Sequence, residues 1–459
     1  DGRLEGVVVR VLLYGLGRSG LAVGRLAARQ GHAVAWFDRR PDGPDQAEAT
    51  AAGWPRADDA ARSDAQVCIA APGVPIDHPD LVALRARGVE TIGEVEWVHR
   101  TVDAPLLGVT GTAGKGTVTR WILHFLQAAG LDAAAGGNLD PALAAVAAPG
   151  RWLVSEMSSF QLERCPTLRL RIAVVTVLGR DHLDRHGDVA TYHAVKRRLI
   201  EAAAPEGVAI LNAADPVQRA WAEDPPGRTA LYDARATADR DAGARAWIQS
   251  DRFVLDGDDL GPVTALRPPG PHQQANLLAA ALAAREVGVS AATIEAAIPS
   301  LTTAPGRHEL VAERCGVRFV DDSIATRELA VAAALEAARP PVAWIVGGRD
   351  KGADPEALRS LLPGRVVLTV GIGEAGPGFV ARFADQAPGS VVPDADGATA
   401  LRQAVRSAAE ALRERGGGTV LLAPLAASFD QFRDYAERGR AFRAAVDELL
   451  KEAPWTACS

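Results

Sequence analysis

The sequence predicts an α/β protein with three domains, each a largely parallel sheet covered by helices. Along the whole chain, short apolar strands are followed by glycine-containing loops and by helices rich in Ala and Leu. The 459 residues are also too many for one hydrophobic core. We therefore expect a Rossmann-like domain at 1–102, a central P-loop mononucleotide-binding α/β domain at 103–305 and a C-terminal Rossmann-like α/β domain at 306–459.

The composition predicts a globular cytoplasmic protein. Hydrophobic residues make up 48% of the chain and charged residues 23%, without an apolar run near the ~18 residues of a membrane span and without a signal-peptide pattern at the start. The net charge of -7 argues against nucleic acid, which attracts basic surfaces. The four cysteines lack metal-site or disulfide-framework spacing. We expect a monomer that binds small molecules and neither nucleic acid nor a membrane.

The first predicted domain opens with a dinucleotide-type βαβ unit. A strand at 8–14 runs into Gly15-Leu16-Gly17-Arg18-Ser19-Gly20, and the next strand ends at Asp38. A Gly-x-Gly-x-x-Gly turn with an acid after the following strand is typical of nucleotide binding, although a plain α/β turn gives the same pattern. The loop at 70–75 follows a further strand, where open α/β sheets bind ligands.

The second predicted domain is organised around residues 107–120, a buried strand, a glycine turn and a helix. Gly111 and Gly114 allow the backbone to approach an anion, and Lys115 adds a positive charge. A strict Walker A motif would have glycine at position 109 and Ser or Thr at position 116. A phosphate loop is favoured over an ordinary strand-to-helix turn, because the flanking strand and helix provide the required context.

Further polar residues follow strands in the central part of the chain. Asn138 lies in a glycine turn, and Glu156 ends a strand, either as a magnesium ligand or as the acid of a helix N-terminus. His182 belongs to a polar loop, and a helix predicted at 189–203 carries Lys196. Residues 205–270 alternate short strands with Pro/Gly turns and are expected to form a peripheral β excursion.

Lysine is scarce in this chain. Of 50 basic residues only four are lysine, namely Lys115, Lys196, Lys351 and Lys451. A lysine that remains where arginine is otherwise used is a candidate for a compact charge or a reactive amine, which a guanidinium cannot replace.

In the third predicted domain, strands at 317–320, 342–346, 366–370 and 419–422 each lead into a glycine-rich or polar loop. Since the carboxyl ends of parallel strands share one edge of a sheet, these loops predict one functional edge.

Several segments resemble the Mur ligases in order and spacing, and the resemblance covers essentially the whole chain, with the best match to the D-glutamate-adding members. The matching segments are 155–163, 181–186, 347–351, 427–432 and 437–439. The resemblance implies an ATP-dependent, ADP-forming amide ligase of peptidoglycan precursor synthesis. It would join D-glutamate to UDP-N-acetylmuramoyl-L-alanine (UDP-MurNAc-L-Ala) through an acyl phosphate, with ATP and two Mg²⁺ ions.

The resemblance also assigns residues. Lys115, Glu156, His182 and Lys196 are implied to be catalytic; the metal ligands would be Thr117, Glu156, His182 and a carbamylated Lys196. ATP would contact Gly111, Thr112, Ala113, Gly114, Lys115, Gly116, Thr117, Asn276, Arg307 and Asp322. The UDP substrate would contact Gly15, Leu16, Gly17, Arg18, Ser19, Asp38, Arg39, Arg40, Ala71, Pro72, Gly73 and Asn138. D-glutamate would contact Thr326, Lys351, Ser428 and Tyr435.

Departures from the family pattern leave other functions open. Gly116 replaces a hydroxyl residue, Ala113 an asparagine, Gly306 a histidine and Ile324 a lysine. We expect Thr117 to supply the missing hydroxyl. The alternatives are another amino-acid ligase of the superfamily and a nucleotide-binding homologue with impaired catalysis. An NAD-dependent dehydrogenase is disfavoured because it would leave the second and third domains unexplained.

Overall fold

The computed structural model describes residues 8–60, 63–204, 206–235, 241, 243–350, 352–393 and 395–456. The chain divides into two compact units. The first unit comprises Asp1–Ala265 and Ala275–Pro299, and the second comprises Leu266–Gln274 and Ser300–Ser459. The predicted α/β class is confirmed, with three sheets, whereas the boundaries of the three domains stay a prediction.

The first sheet of the first unit is parallel, with strand order β2-β1-β3-β4. Its strands are β1 (Arg10–Tyr14), β2 (Ala33–Phe37), β3 (Val67–Ala70) and β4 (Glu90–Ile92). The helices are α1 (Gly17–Arg29), α2 (Pro44–Ala51), α3 (Pro79–Ala86) and α4 (Glu94–Thr101). The predicted βαβ unit is confirmed, because β1, the glycine turn, α1 and β2 follow in that order and Asp38 comes directly after β2.

The second sheet has nine strands in the order β13-β12-β11-β10-β9-β8-β5-β7-β6. They are β5 (Leu106–Thr110), β6 (Ala133–Gly137), β7 (Trp152–Glu156), β8 (Ile172–Val175), β9 (Val208–Asn212), β10 (Arg228–Asp233), β11 (Ala244–Gln249), β12 (Arg252–Leu255) and β13 (Asp258–Pro262). The prediction of a peripheral β excursion was wrong for its first strands: β9 pairs in parallel with β8, and β10 and β11 continue the sheet. In the part of this region that the structure describes, only β12 and β13 are antiparallel additions at the edge.

Helices of this part include α5 (Lys115–Ala128), α6 (Leu143–Val146), α7 (Ser159–Leu162), α8 (Leu183–His186), α9 (Val189–Ala203), α10 (Pro216–Glu223), α11 (Pro271–Val287) and α12 (Ala291–Ala297). Short 3-10 helices span Val263–Ala265 and Ile298–Ser300. The unit boundary runs through α11, between Gln274 and Ala275. Buried apolar strand residues such as Leu107, Val109 and Val174 form the interior of the sheet, which holds the polar strand ends in place.

Among its described residues, the second unit contains a six-stranded sheet of order β14-β15-β19-β16-β17-β18, in which only β14 is antiparallel to its neighbour. The strands are β14 (Glu309–Arg314), β15 (Val317–Asp321), β16 (Val342–Gly347), β17 (Val366–Ile372), β18 (Gly389–Val391) and β19 (Gly418–Leu422). The helices are α13 (Glu328–Ala337), α14 (Gly376–Arg382), α15 (Gly397–Arg413), α16 (Tyr435–Leu449), α17 (Ala453–Thr456) and a 3-10 helix at Pro355–Leu361.

Two expectations from composition can be compared with the structure. Within the described residues, no helix combines the length and the apolar character that crossing a membrane requires. Cys68 and Cys165 are free thiols, whereas Cys315 is disulfide-bonded, so the absence of a disulfide pattern in the spacing was misleading for Cys315.

Candidate active site

The predicted phosphate loop joins β5 to α5. Gly111 has a φ of +148° and Gly114 a φ of +80°, which places both in backbone regions that favour glycine. A Cβ atom on Gly111 would lie 1.9 Å from Thr176 Oγ1, and one on Gly114 would lie 2.6 Å from Asn276 Oδ1. Glycine is therefore required at both positions for the loop to pack against its neighbours.

The loop presents positive charge and amide groups. Gly114 is the N-cap of α5 and provides no side-chain cap, so the first amide N–H groups of the helix are available to an anion. Lys115 Nζ donates to the carbonyl oxygens of Gly111 at 3.0 Å and Thr112 at 3.1 Å. Thr117 lies in the first turn of α5 and is buried. A phosphate-shaped cradle thus follows from the local geometry.

Lys196 on α9 lies beside this loop, with its side chain buried. Its Nζ donates to Gly111 O at 2.8 Å and to Thr110 Oγ1 at 3.4 Å, and it lies 4.6 Å from the ring centre of Tyr192. Burial, followed by the charge of Lys115, lowers the pKa of Lys196 well below its ordinary value. A lowered pKa favours the neutral amine, which is the form that reacts as a nucleophile.

Glu156 is the last residue of β7, and its strand neighbours are Val109 and Gly137. Its carboxylate is buried and accepts a hydrogen bond from Asn138 Nδ2 at 2.6 Å. The carboxylate therefore lies at the same sheet edge as the phosphate loop.

His182 is placed by the polar loop that precedes α8. Its φ is +51°, its side chain is 42% exposed, and its ring centre lies 4.8 Å from that of Phe160. His182 Nε2 is 3.5 Å from Asp181 Oδ2. No group of three or more His, Cys, Asp or Glu side chains in the described part of the chain could hold a metal ion by itself. The predicted metal set depends on Thr117, on phosphate oxygens and on a carbamate at Lys196.

A cavity of about 410 Å³ opens beside the first sheet. Its walls include six predicted UDP-substrate residues, namely Leu16, Arg18, Ser19, Ala71, Pro72 and Asn138, together with Gly137 and Gln161, which the prediction omitted. Asp38 supports the wall, since its carboxylate accepts from the N–H groups of Leu16 at 3.0 Å and Arg40 at 2.9 Å. Arg39 contacts His78. Gly15 and Gly73 lie in the loops that follow β1 and β3, and Gly17 begins α1; these three glycines are not among the residues that line this cavity.

Two arginines that sequence reasoning missed hold the 71–74 loop. The guanidinium of Arg164, which is buried, donates to the carbonyl oxygens of Ala71 at 3.0 Å and Pro72 at 3.4 Å and also bonds that of Val74. Arg185, on α8, donates to Val74 O at 3.3 Å. Arg185 lies in the matching segment 181–186 and Arg164 directly follows the segment 155–163. No other signal pointed to them, because a carbonyl partner leaves no charge pattern in the sequence.

The second unit carries the remaining predicted residues. Asp322 follows β15 and is buried. Burial raises its pKa to about 8, although the positive charge of Arg307 acts to lower it. Thr326 lies in the same loop, Ser428 is buried in the loop after β19, and Tyr435 is the exposed first residue of α16. Lys351 lies outside the described residues.

The structure accounts for one departure from the family pattern. Gly306 has a φ of +70°, and a Cβ atom there would lie 2.7 Å from Ser323 Oγ. A larger side chain would be strained and would collide. Ile324 donates its N–H to Gly306 O at 3.3 Å, and nothing in the structure explains the loss of a lysine at this position.

These features agree with the sequence comparisons. A model of the Mur ligase middle domain matches residues 109–284. The chain belongs to the Mur ligase family, as full-length relatives also show. The UDP-N-acetylmuramoylalanine–D-glutamate ligase of Thermus thermophilus is 44% identical over 448 residues, 98% of this chain and 99% of that protein. The enzyme of the same name from Deinococcus radiodurans is also 44% identical, over 96% of this chain and 92% of that protein.

Solved structures agree on the fold. A type C pseudomurein peptide ligase from Methanothermus fervidus covers 96% of this chain and all of its own length, with a TM-score of 0.61 at 16% identity. The MurF ligase of Thermotoga maritima covers 98% of this chain and 97% of its own, with a TM-score of 0.58 at 16% identity. The α/β architecture predicted from the sequence is that of the Mur ligases.

Proposed function

We infer that this protein is an ATP-dependent, ADP-forming ligase that joins D-glutamate to UDP-MurNAc-L-Ala in peptidoglycan precursor synthesis. Full-length relatives that carry the name of this activity support the inference. The structural observation that carries it is the position of Asn138. This residue lines the proposed UDP-substrate cavity and donates to Glu156 at the edge that holds the phosphate loop. Through Asn138, the UDP-substrate site and the ATP site would lie next to each other.

In the proposed reaction, a carboxylate oxygen of the substrate attacks the γ-phosphorus of ATP and ADP leaves. The amine of D-glutamate then attacks the acyl carbon, the C–O bond breaks, the amine loses a proton, and inorganic phosphate departs. Such transfers depend on positioning and charge neutralisation more than on covalent catalysis. Lys115 and the amides at 111–117 hold the β- and γ-phosphates, while Asn276, Arg307 and Asp322 contact the rest of ATP.

The oxygen donors present fit two Mg²⁺ ions. Glu156, the Thr117 hydroxyl, His182 and a carbamylated Lys196 would hold them. The carboxylate, hydroxyl and carbamate oxygens, together with phosphate oxygens, are the donors that a hard cation prefers, and the imidazole of His182 is the nitrogen donor of the set. When bound, the ions neutralise phosphate charge. The neutral amine favoured at Lys196 is the species that adds CO2, which supports the carbamate.

The substrates would be held at three places. The UDP moiety lies along the cavity walls and the loops behind them, with Gly15, Gly17, Asp38, Arg39, Arg40 and Gly73 supporting the walls. D-glutamate contacts Thr326, Lys351, Ser428 and Tyr435 in the second unit. A cytoplasmic monomer without nucleic-acid or membrane partners stays our prediction.

Phosphate release from ATP tests the function. We expect release with UDP-MurNAc-L-Ala and D-glutamate together, and background release when either is left out. Release with another amino acid instead would identify a different ligase of the superfamily. Absence of release with every acceptor would identify the impaired homologue that the departures at Gly116 and Ile324 leave open.

A further inference from the structure

Arg438 lies in the early part of α16 and is only 1% exposed. It belongs to the segment 437–439, one of those that resemble the Mur ligases, but none of the functions assigned above uses it. A guanidinium is rarely buried to this extent without a specific set of partners.

The partners of Arg438 are carbonyl oxygens on two loops and at the end of one strand. Nη2 donates to Ser323 O at 2.9 Å and to Ala426 O at 3.0 Å, and Nη1 donates to Gly347 O at 3.5 Å. Ser323 and Ala426 lie in the loops after β15 and β19, and Gly347 is the last residue of β16. These strands are neighbours in the sheet. One side chain therefore joins the carboxyl ends of three adjacent strands.

The backbone around Arg438 fits closely. Gly348 has a φ of +128°, and a Cβ atom there would lie 3.0 Å from Arg438 Nη1 and 2.2 Å from Ala427 O. A Cβ atom on Gly439 would lie 2.7 Å from Ser323 Oγ. Gly348 thus allows its loop to approach the guanidinium, and Gly439 allows α16 to approach the loop after β15.

The burial of Arg438 is not explained by a gain in the stability of the fold. Burial lowers the pKa of Arg438 to about 10, although Asp430 and Asp321 act to raise it. Burying a charge costs more than burying an apolar side chain of similar volume. An apolar side chain could not supply a planar guanidinium, whose several N–H donors fix two loops and the end of β16 at once.

We propose that Arg438 is a positioning residue for the amino-acid acceptor: its guanidinium fixes the loops that carry Thr326 and Ser428. The proposal rests on the function inferred above, which places D-glutamate at these loops. Arg438 is buried beneath them and acts through their backbone.

The test compares Arg438→Met and Arg438→Lys with two controls. Leu449→Ala opens a cavity at the far end of the same helix, where Leu449 is buried in the core of the sheet, and Arg440→Gln changes an exposed neighbour. We expect Arg438→Met to raise the KM for D-glutamate about tenfold or more, because small misplacements of bound groups cost large factors. The KM for UDP-MurNAc-L-Ala should not change, and Arg438→Lys should recover part of the loss.

Leu449→Ala should lower the Tm without raising the KM for D-glutamate, and Arg440→Gln should change neither. An unchanged KM in Arg438→Met, or an equal rise in Leu449→Ala, would overturn the positioning role.

Hydrogen exchange separates this proposal from the proposed function, since it needs no substrate. The amides of Leu425 and Arg349 donate to Ala325 O and Ala427 O in the joined loops. We expect both to exchange faster in Arg438→Met than in Leu449→Ala. Equal exchange would overturn the positioning role even in an active enzyme. Faster exchange in Arg438→Met, combined with a wild-type protein that does not use D-glutamate, would contradict the proposed function and the choice of D-glutamate as acceptor. It would still support the role of Arg438 in fixing the loops.

Discussion

Lys196 shows how one residue can combine packing and chemistry. Its Nζ ties α9 to the phosphate loop through Gly111 O, and its burial favours the neutral amine. The scarcity of lysine in the sequence singled this residue out, but its 2.8 Å contact with Gly111 joins residues 85 positions apart. The residue could be predicted from the sequence, whereas its surroundings could not.

We expect Lys196→Ala to lack ligase activity, because the proposed carbamate is lost. A short carboxylic acid such as acetate should restore part of the activity by supplying the missing carboxylate. The measurement is phosphate release with increasing acid concentration, with wild-type protein as the control for effects of the acid itself. Full activity of Lys196→Ala without any acid would count against a carbamate.

Thr117 is expected to replace the hydroxyl that Gly116 lacks. Thr117→Ala should weaken Mg²⁺-ATP binding about tenfold, the effect of losing a contact worth about 1.5 kcal/mol. Thr117→Ser keeps the hydroxyl and is the matched control, which should bind nearly as well as wild-type protein. Titration calorimetry with ATP and Mg²⁺ measures both variants, and equal affinity of the alanine variant and wild-type protein would exclude this role for Thr117.

At the scale of elements, helices with local capping signals could be predicted from the sequence, whereas the sheet to which a strand belongs could not. The helix predicted at 189–203 matches α9 (Val189–Ala203), because Asp188 caps it by accepting from Thr191 N. The strands after residue 205 join the central sheet through pairing such as Val174 with Ile210. Pairing of this kind depends on distant partners, which turn composition does not reveal.

The loop at 71–74 is held in place by hydrogen bonds from Arg164 and Arg185 to its carbonyl oxygens. Replacing Arg164 with methionine should raise the KM for UDP-MurNAc-L-Ala about tenfold, because the cavity wall loses its hydrogen bonds. The KM for ATP should stay near the wild-type value, since Arg164 contacts none of the phosphate-loop residues in the hydrogen bonds described above. Steady-state kinetics with each substrate varied in turn measures the effect. Arg169→Met, an exposed arginine nearby, is the matched control, and a similar rise there would contradict a specific role.

At the scale of the whole molecule, the proposed ATP residues are divided between the two units. Gly111–Thr117 and Asn276 belong to the first, whereas Arg307 and Asp322 belong to the second. The sequence predicted both sets but not the two-unit division, which passes through α11.

We expect small-angle scattering of the free protein to differ from that of the protein with UDP-MurNAc-L-Ala and a non-hydrolysable ATP analogue, because one ATP held by both sets of residues would restrict hinge motion. The analogue is needed because turnover would mix states. Identical scattering in both conditions would contradict a ligand-dependent hinge motion.

The proposed acyl phosphate has one direct test for the whole molecule. UDP-MurNAc-L-Ala labelled with ¹⁸O in its alanyl carboxylate is incubated with ATP, Mg²⁺ and D-glutamate, and the released phosphate is analysed by mass spectrometry. Because the attacking oxygen stays with phosphorus when the amine displaces phosphate, we expect each phosphate to carry one carboxylate oxygen. Amide product accompanied by phosphate without ¹⁸O would contradict the acyl phosphate.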